Sequence, residues 1–240
     1  MIPLRDDNPT SITPVVTIGL IAINVLVFFY QVSLGPREGE LLVYQYGSIP
    51  AVVFGSRQLP SDIQAIPPTF SLITSMFLHG GFMHLIGNML YLWIFGNNIE
   101  DAMSHIRYVL FYLVTGIAAS LAHAFTNPGS TVPAIGASGA ISGVLGAYLL
   151  LYPRAQVLVL IPLGFFSRLM YIPAGFALGI WFLFQLVSGG LSAGQPGGGV
   201  AWFAHIGGFL AGMLLVGAFK RRSVRFFNPA HHHSGRVENW

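Results

Sequence analysis

The sequence predicts an all-α membrane protein with six transmembrane helices and both termini in the cytosol. Three observations predict it. Only 8% of the 240 residues are charged and 54% are hydrophobic, whereas a soluble domain carries about a quarter charged residues. Lipid must therefore replace water around much of the surface. Six stretches approach the ~20 largely apolar residues that a membrane span requires: near 15–32, 82–99, 108–125, 135–152, 171–187 and 202–219. The basic residues, finally, divide unequally between the two sides that six spans define.

The first apolar stretch is too long for a signal peptide and no convincing small-residue cleavage site follows it. Residues 35–69 hold Pro50, Pro60, Pro67 and Pro68 together with apolar patches such as "LLVYQYG", and this segment is expected to lie on the membrane surface. Residues 157–166, "VLVLIPLGFF", are too short to span and contain Pro162; an interfacial or re-entrant stretch is expected. With six spans, one side holds Arg5, Arg107, Arg154, Arg168, Lys220, Arg221, Arg222, Arg225 and Arg236, and the other only Arg37 and Arg57. Basic residues accumulate on the cytosolic side, which puts both termini there, at the plasma (inner) membrane if the source is prokaryotic. A seventh span at 157–166 would move "KRRSVR" outside. The expected organisation is one membrane domain, 1–222, and a short cytosolic tail, 223–240.

A net charge of +3 and a pI of about 9.4 fit basic membrane edges, and no nucleic-acid partner is expected. Cysteine is absent, which excludes disulfides and thiolate sites. No HExxH pattern marks a zinc protease, and neither a metal nor a cofactor is expected. The run "HHH" at 231–233 reads as part of a solvated tail.

Polar residues inside spans are costly unless satisfied or functional. Ser138 falls about five residues into the fourth stretch, His205 about five into the sixth and His84 about four into the second. These even-numbered spans all run from outside to inside, so at 1.5 Å per residue the three side chains share a depth of ~6–8 Å below the outer ends. Asn88 follows His84 by four residues and lies on the same helical face. Four polar groups from three helices can meet in one layer.

Glycine spacing says how closely those helices approach. Gly139 and Gly143, extended by Gly146, form one small-residue ridge, and Gly208 with Gly212 forms another. Such ridges let membrane helices meet backbone to backbone, bringing His205 within reach of Ser138. A serine hydroxyl becomes a nucleophile when a base takes its proton, and histidine is the common base. None of the eight acids (Asp6, Asp7, Glu38, Glu40, Asp62, Glu100, Asp101, Glu238) falls in the outer layer of the helices carrying Ser138 and His205. The expected unit is a Ser–His dyad without a carboxylate. Acyl transfer also needs oxyanion donors; His84, Asn88 and the Ser138 N–H are available, and Gly136 lets substrate approach the backbone.

The segments "GASG" (136–139), "AHIGGFLAG" (204–212) and "HGGFMHLIGNMLYLWIFGNNIED" (79–101) resemble the signatures of rhomboid intramembrane serine proteases, over roughly residues 10–222. The resemblance implies a six-helix rhomboid bundle with Ser138 as nucleophile and His205 as base. His79, His84 and Asn88 match the family's second-helix pattern, the latter two lining the oxyanion hole. Glu100 matches an acid regarded as structural. Transmembrane proteins, single-pass or otherwise, are the implied substrates, and the bilayer is the other partner. Two departures are visible: Ser142 stands where some members have an aromatic that supports the base, and the family's first-loop Trp–Arg pair is not evident.

His105 and His123 read as ordinary interfacial residues, and His79 as a possible buttress of the first loop. Residues 188–199, "SGGLSAGQPGGG", lie over the site and form either a flexible loop or a lid. Two other functions fit parts of the pattern. A non-cleaving rhomboid-fold client binder typically lacks the serine or the histidine, both intact here. A small transporter would be expected to carry intramembrane carboxylates or a repeated half, and neither is visible.

Overall fold

The computed structural model describes residues 1–163, 166–192 and 200–228. Each of the six apolar stretches forms a helix at close to its expected bounds: α1 (Val15–Ser33), α5 (Phe82–Met103), α6 (His105–Thr126), α7 (Ser138–Leu151), α8 (Ala174–Ser192) and α9 (Trp202–Phe219). Between α1 and α5 run α2 (Gly35–Tyr46), α3 (Pro50–Val53), α4 (Ser71–Thr74) and two short 3₁₀ turns. The proline-rich stretch breaks into these pieces because proline starts a helix well but cannot continue one.

Four described helices, α1, α6, α8 and α9, are long and apolar enough to cross a bilayer. Their surfaces explain why. α1 buries only Thr17, Leu20, Asn24 and Phe28 while Ile18, Ile23, Leu26 and Phe29 remain exposed, a single stripe facing protein with the remainder open to lipid. α5 passes the same test only together with Pro68–Phe77, from which it bends by 83°. Its polar residues, among them His84, Asn88, Asn98 and Glu100, lower its hydropathy.

α7 has the opposite character. Eleven of its 14 residues are buried, which makes it the centre of the bundle, packed by α5, α6, α8 and α9. At 1.5 Å per residue it is only ~21 Å long. The expected span 135–152 is shortened because Pro133 and Gly136 hold the preceding chain out of the helix. Ser138 is consequently the first residue of α7 rather than one a few residues inside it. Non-helical backbone within a membrane protein is tolerated where it is buried in protein or lines a cavity, and residues Pro133, Ala134 and Ile135 line one here.

The chain is not all-α. Strands β1 (Ile2–Asp6), β2 (Gln156–Leu163) and β3 (Phe166–Pro173) form an antiparallel sheet in the order β1-β2-β3. Residues 157–163, expected as an interfacial or re-entrant stretch, are a strand because their side chains alternate: Val157 and Val159 are buried while Leu158 and Leu160 are partly open. Period two belongs to a strand. Pairing with β3 also delays the start of α8 to Ala174.

The sheet marks one end of the molecule. There the Asp6 carboxylate accepts hydrogen bonds from Tyr148 Oη (2.6 Å) and Asn98 Nδ2 (2.8 Å). Glu100, fully buried, accepts from the N–H groups of Val16 and Thr17 and from the Thr17 hydroxyl at 2.7–2.9 Å. It therefore caps the unpaired start of α1, and the negative charge suits that helix end. His105 Nδ1 lies 2.6 Å from the same carboxylate, a structural role for a histidine expected to be merely interfacial. Asp101 joins Ser11 to Arg221. Past α9, the N–H groups of Phe227 and Asn228 bond the carbonyls of Leu150 and Leu151 at the end of α7.

Candidate active site

The opposite end of the bundle, about 24 Å from Glu100 along α5, gathers the polar layer. His205 lies in the first turn of α9, and its Nε2 is 2.8 Å from Ser138 Oγ. Its Nδ1 is 2.8 Å from Gln185 Oε1 on α8. An amide oxygen can only accept, so the ring proton resides on Nδ1 and leaves Nε2 free to accept from the serine hydroxyl. That is the tautomer a general base requires.

The approach to Ser138 is held by main-chain bonds. Ser48 and Ala134 pair as an isolated antiparallel bridge, and the Gly136 N–H donates to the Ser75 carbonyl at 2.9 Å. Gly136 has φ +123°, and a Cβ there would lie 2.7 Å from His84 Nε2. Only glycine satisfies both demands. His84 Nδ1 accepts from the Gly80 N–H at 3.3 Å, so its own proton is on Nε2, the atom facing Gly136. Asn88 Nδ2 lies 3.7 Å from the same Cβ position and is buried with no partner among the described residues. Two donors thus converge beside the N-terminus of α7, whose first N–H groups have no intrahelical acceptors. These groups line one cavity of about 900 Å³ with Ser138, Ser142, Trp181 and His205.

Other expectations meet mixed outcomes. Ser142, in the place of an aromatic, donates its hydroxyl to the Ser138 carbonyl at 2.6 Å. Aromatic support for His205 comes from elsewhere: Trp181 on α8 and Trp202 on α9 have ring centroids 6.1 and 6.3 Å from the imidazole. The ring nitrogens of His79 are buried and have no close hydrogen-bond partner among the described residues. Its main chain is held instead, the Gln31 amide donating to its carbonyl at 2.9 Å. His123 lines the same cavity. Residues 188–192 belong to α8; the remainder of the possible lid, 193–199, and the 231–233 histidines lie outside the described residues.

The glycine ridges do close the helices, with one correction. Cβ atoms on Gly208 and Gly212 would fall on the carbonyl oxygens of Gly139 and Gly143, so α9 rests against the α7 backbone. The absent side chains of Gly139 and Gly143 themselves face α6, at Ala119 and Thr115; Gly146 is the α7 glycine whose Cβ would meet α9, at Phe209. The ridge on α7 therefore serves two neighbours, α6 and α9, which also pack against each other beside it. Gln185, Trp181 and Trp202 were not anticipated. Gln185 carries no charge, although a lone glutamine in an apolar span is itself a signal.

A short, buried helix presenting a serine to a histidine, inside a shell of lipid-facing helices, defines a polytopic membrane protein with a hydrolase-like polar centre. The chain belongs to the rhomboid family: the Rhomboid domain model matches residues 68–222. It is 32% identical over 226 residues, 87% of its length, to Rhomboid protease GluP of Bacillus subtilis, covering 37% of that protein. To Rhomboid protein 1, mitochondrial, of Saccharomyces cerevisiae it is 29% identical over 188 residues, 72% of this chain and 51% of the relative. To Rhomboid-like protease 5 of Toxoplasma gondii it is 33% identical over 162 residues, 66% of this chain and 17% of the relative. The chain thus spans about half of the yeast relative and less of the other two.

Proposed function

We propose that this protein is an intramembrane serine endopeptidase that cleaves transmembrane proteins near the outer side of the bilayer. The observation that carries the reading is the 2.8 Å contact between His205 Nε2 and Ser138 Oγ. Two of the similar proteins are named as proteases, which accords with it.

In this reading, Ser138 Oγ attacks the scissile carbonyl carbon as its proton passes to His205 Nε2. The carbonyl π electrons move to oxygen, and the oxyanion accepts hydrogen bonds from His84 Nε2–H, Asn88 Nδ2–H and the Ser138 N–H. Such donors act strongly where water is scarce, each supplying ~2.7–4 kcal/mol of transition-state stabilisation. Collapse of the tetrahedral species breaks the C–N bond as His205 returns the proton to the leaving amine. Water from the cavity, deprotonated by the same imidazole, then hydrolyses the acyl ester and restores Ser138.

The bent α5 and the short α7 complete six spans, with residues 1–222 as the membrane domain, 223–240 as a tail and both termini cytosolic. The nine basic residues assigned to that side support this orientation. A substrate must expose its carbonyls, so segments that unwind easily are preferred, since a hydrogen-bonded helix hides them.

A fluorophosphonate probe tests the nucleophile. Purified protein should be labelled in detergent and Ser138→Ala should not, while remaining folded. Equal labelling of both proteins would contradict the assignment.

A further inference from the structure

Polar side chains inside a membrane helix require a reason, and α8 contains one that the proposed reaction has not used. The helix buries Ala174, Leu178, Gln185 and Gly189, a single stripe in which Gln185 is the polar member. Gln185 is 3% exposed. Its amide has two ends with distinct neighbours: Nε2 faces the Trp181 carbonyl at 3.4 Å, and Oε1 faces His205 Nδ1 at 2.8 Å. A donor opposite a carbonyl fixes which end is nitrogen, so the oxygen belongs to the histidine. Turning the amide over would set its oxygen against the Trp181 carbonyl, two acceptors facing each other.

We infer that Gln185 is a positioning residue for the base: its amide oxygen holds the His205 proton on Nδ1 and keeps Nε2 directed at Ser138. The inference rests on the Ser138–His205 reading and extends it, replacing a two-residue unit by a chain of three that spans α7, α9 and α8. A carboxyl group in this place would either carry a costly charge deep in the bundle or be protonated by its burial. An amide supplies the same acceptor geometry without a buried charge, and its dipole still favours the imidazolium formed when the serine loses its proton. Aromatic contacts from Trp181 and Trp202 restrict the ring's position but cannot select its tautomer. Gln185 alone, among the described residues, accepts from Nδ1. The proton transfer itself still runs only between Ser138 Oγ and His205 Nε2, and Gln185 gains or loses no proton.

The arrangement also ties the base to α8. Apart from its buried stripe this helix is open to lipid, with Phe176, Leu183, Phe184 and Val187 exposed. A displacement of α8 that withdrew Gln185 would release the tautomer as well as widen the cavity.

The test uses the full chain, a cleavable membrane substrate, and the variants Gln185→Met, Gln185→Glu and His205→Ala, each with its thermal midpoint in detergent. Methionine matches the length without an acceptor; glutamate keeps an acceptor oxygen whether ionised or protonated. Gln185→Met should lower kcat about tenfold or more, the scale of a lost hydrogen bond to a group that becomes charged. KM should stay within about twofold, and Gln185→Glu should return kcat to within about threefold of the original protein, because binding groups are untouched. A wild-type kcat in Gln185→Met beside an inactive His205→Ala overturns the positioning role and leaves the dyad standing. Equal impairment of the Met and Glu variants, with a lowered thermal midpoint, overturns it in favour of packing. Activity in His205→Ala would instead remove the reading on which the inference rests.

Discussion

A Cβ placed on Gly208 would fall on the carbonyl oxygen of Gly139. The two helices that carry His205 and Ser138 are therefore in backbone contact one turn from those two side chains. Gly208→Val should push them apart, costing ~1–3 kcal/mol in stability, and a shift of ~1 Å between reacting groups costs about a hundredfold in rate. Probe labelling and cleavage should fail before the fold does. Gly179→Ala on α8, where nothing lies within 4 Å of the added atom, should change neither. A stable, fully active Gly208→Val protein would show that the contact does not set the dyad distance.

The second prediction concerns His84 and Asn88, whose ring and amide nitrogens converge on Gly136. Asn88→Ala and His84→Ala should each reduce kcat by ~10²–10³-fold, the usual cost of an oxyanion donor, with a much smaller change in KM. Steady-state kinetics with the cleavable substrate checks this. Wild-type turnover in both variants would mean that the α5 donors do not face the reaction.

Much of this site was legible beforehand for a definite reason. Ser138, His205, His84 and Asn88 are polar residues in apolar helices, where each must be satisfied or functional, and the expected direction of the even-numbered spans suggested one common layer. The helix bounds followed from the same contrast of polar and apolar. What escaped was whatever depends on azimuth or on pairing. The α7 ridge faces two partners because Gly139 and Gly143 turn toward α6 while Gly146 turns toward α9. The sheet was hidden because a short apolar run such as 157–163 does not by itself distinguish a strand from a buried or re-entrant segment, and its partner β1 lies some 150 residues earlier. Gln185 escaped because the partner of a histidine was sought among charges.

The third prediction lies at the far end of the bundle. Burial pushes the Asp6 carboxyl up from its usual 3.8 to about 6, its hydrogen bonds from Tyr148 and Asn98 offsetting only part of the desolvation. A folded-state value raised above the unfolded one means that the folded protein binds this proton more tightly. The resulting stabilisation is fully present below about 3.8 and is lost as pH rises through about 6. Asp6→Asn removes that titration. The thermal midpoint of the original protein relative to Asp6→Asn should therefore be higher at low pH and decline across this window. A difference that stays constant with pH would contradict the assignment.

The central claim is that Ser138 and His205 act as one catalytic unit, and the most direct test is the rate of cleavage of a membrane substrate by Ser138→Ala, His205→Ala and the double variant, all verified as folded. Groups that act together are not additive, so each single variant should already be reduced to background and the double variant should be no slower than either. Substantial cleavage by Ser138→Ala, or losses that multiply in the double variant, would contradict the account.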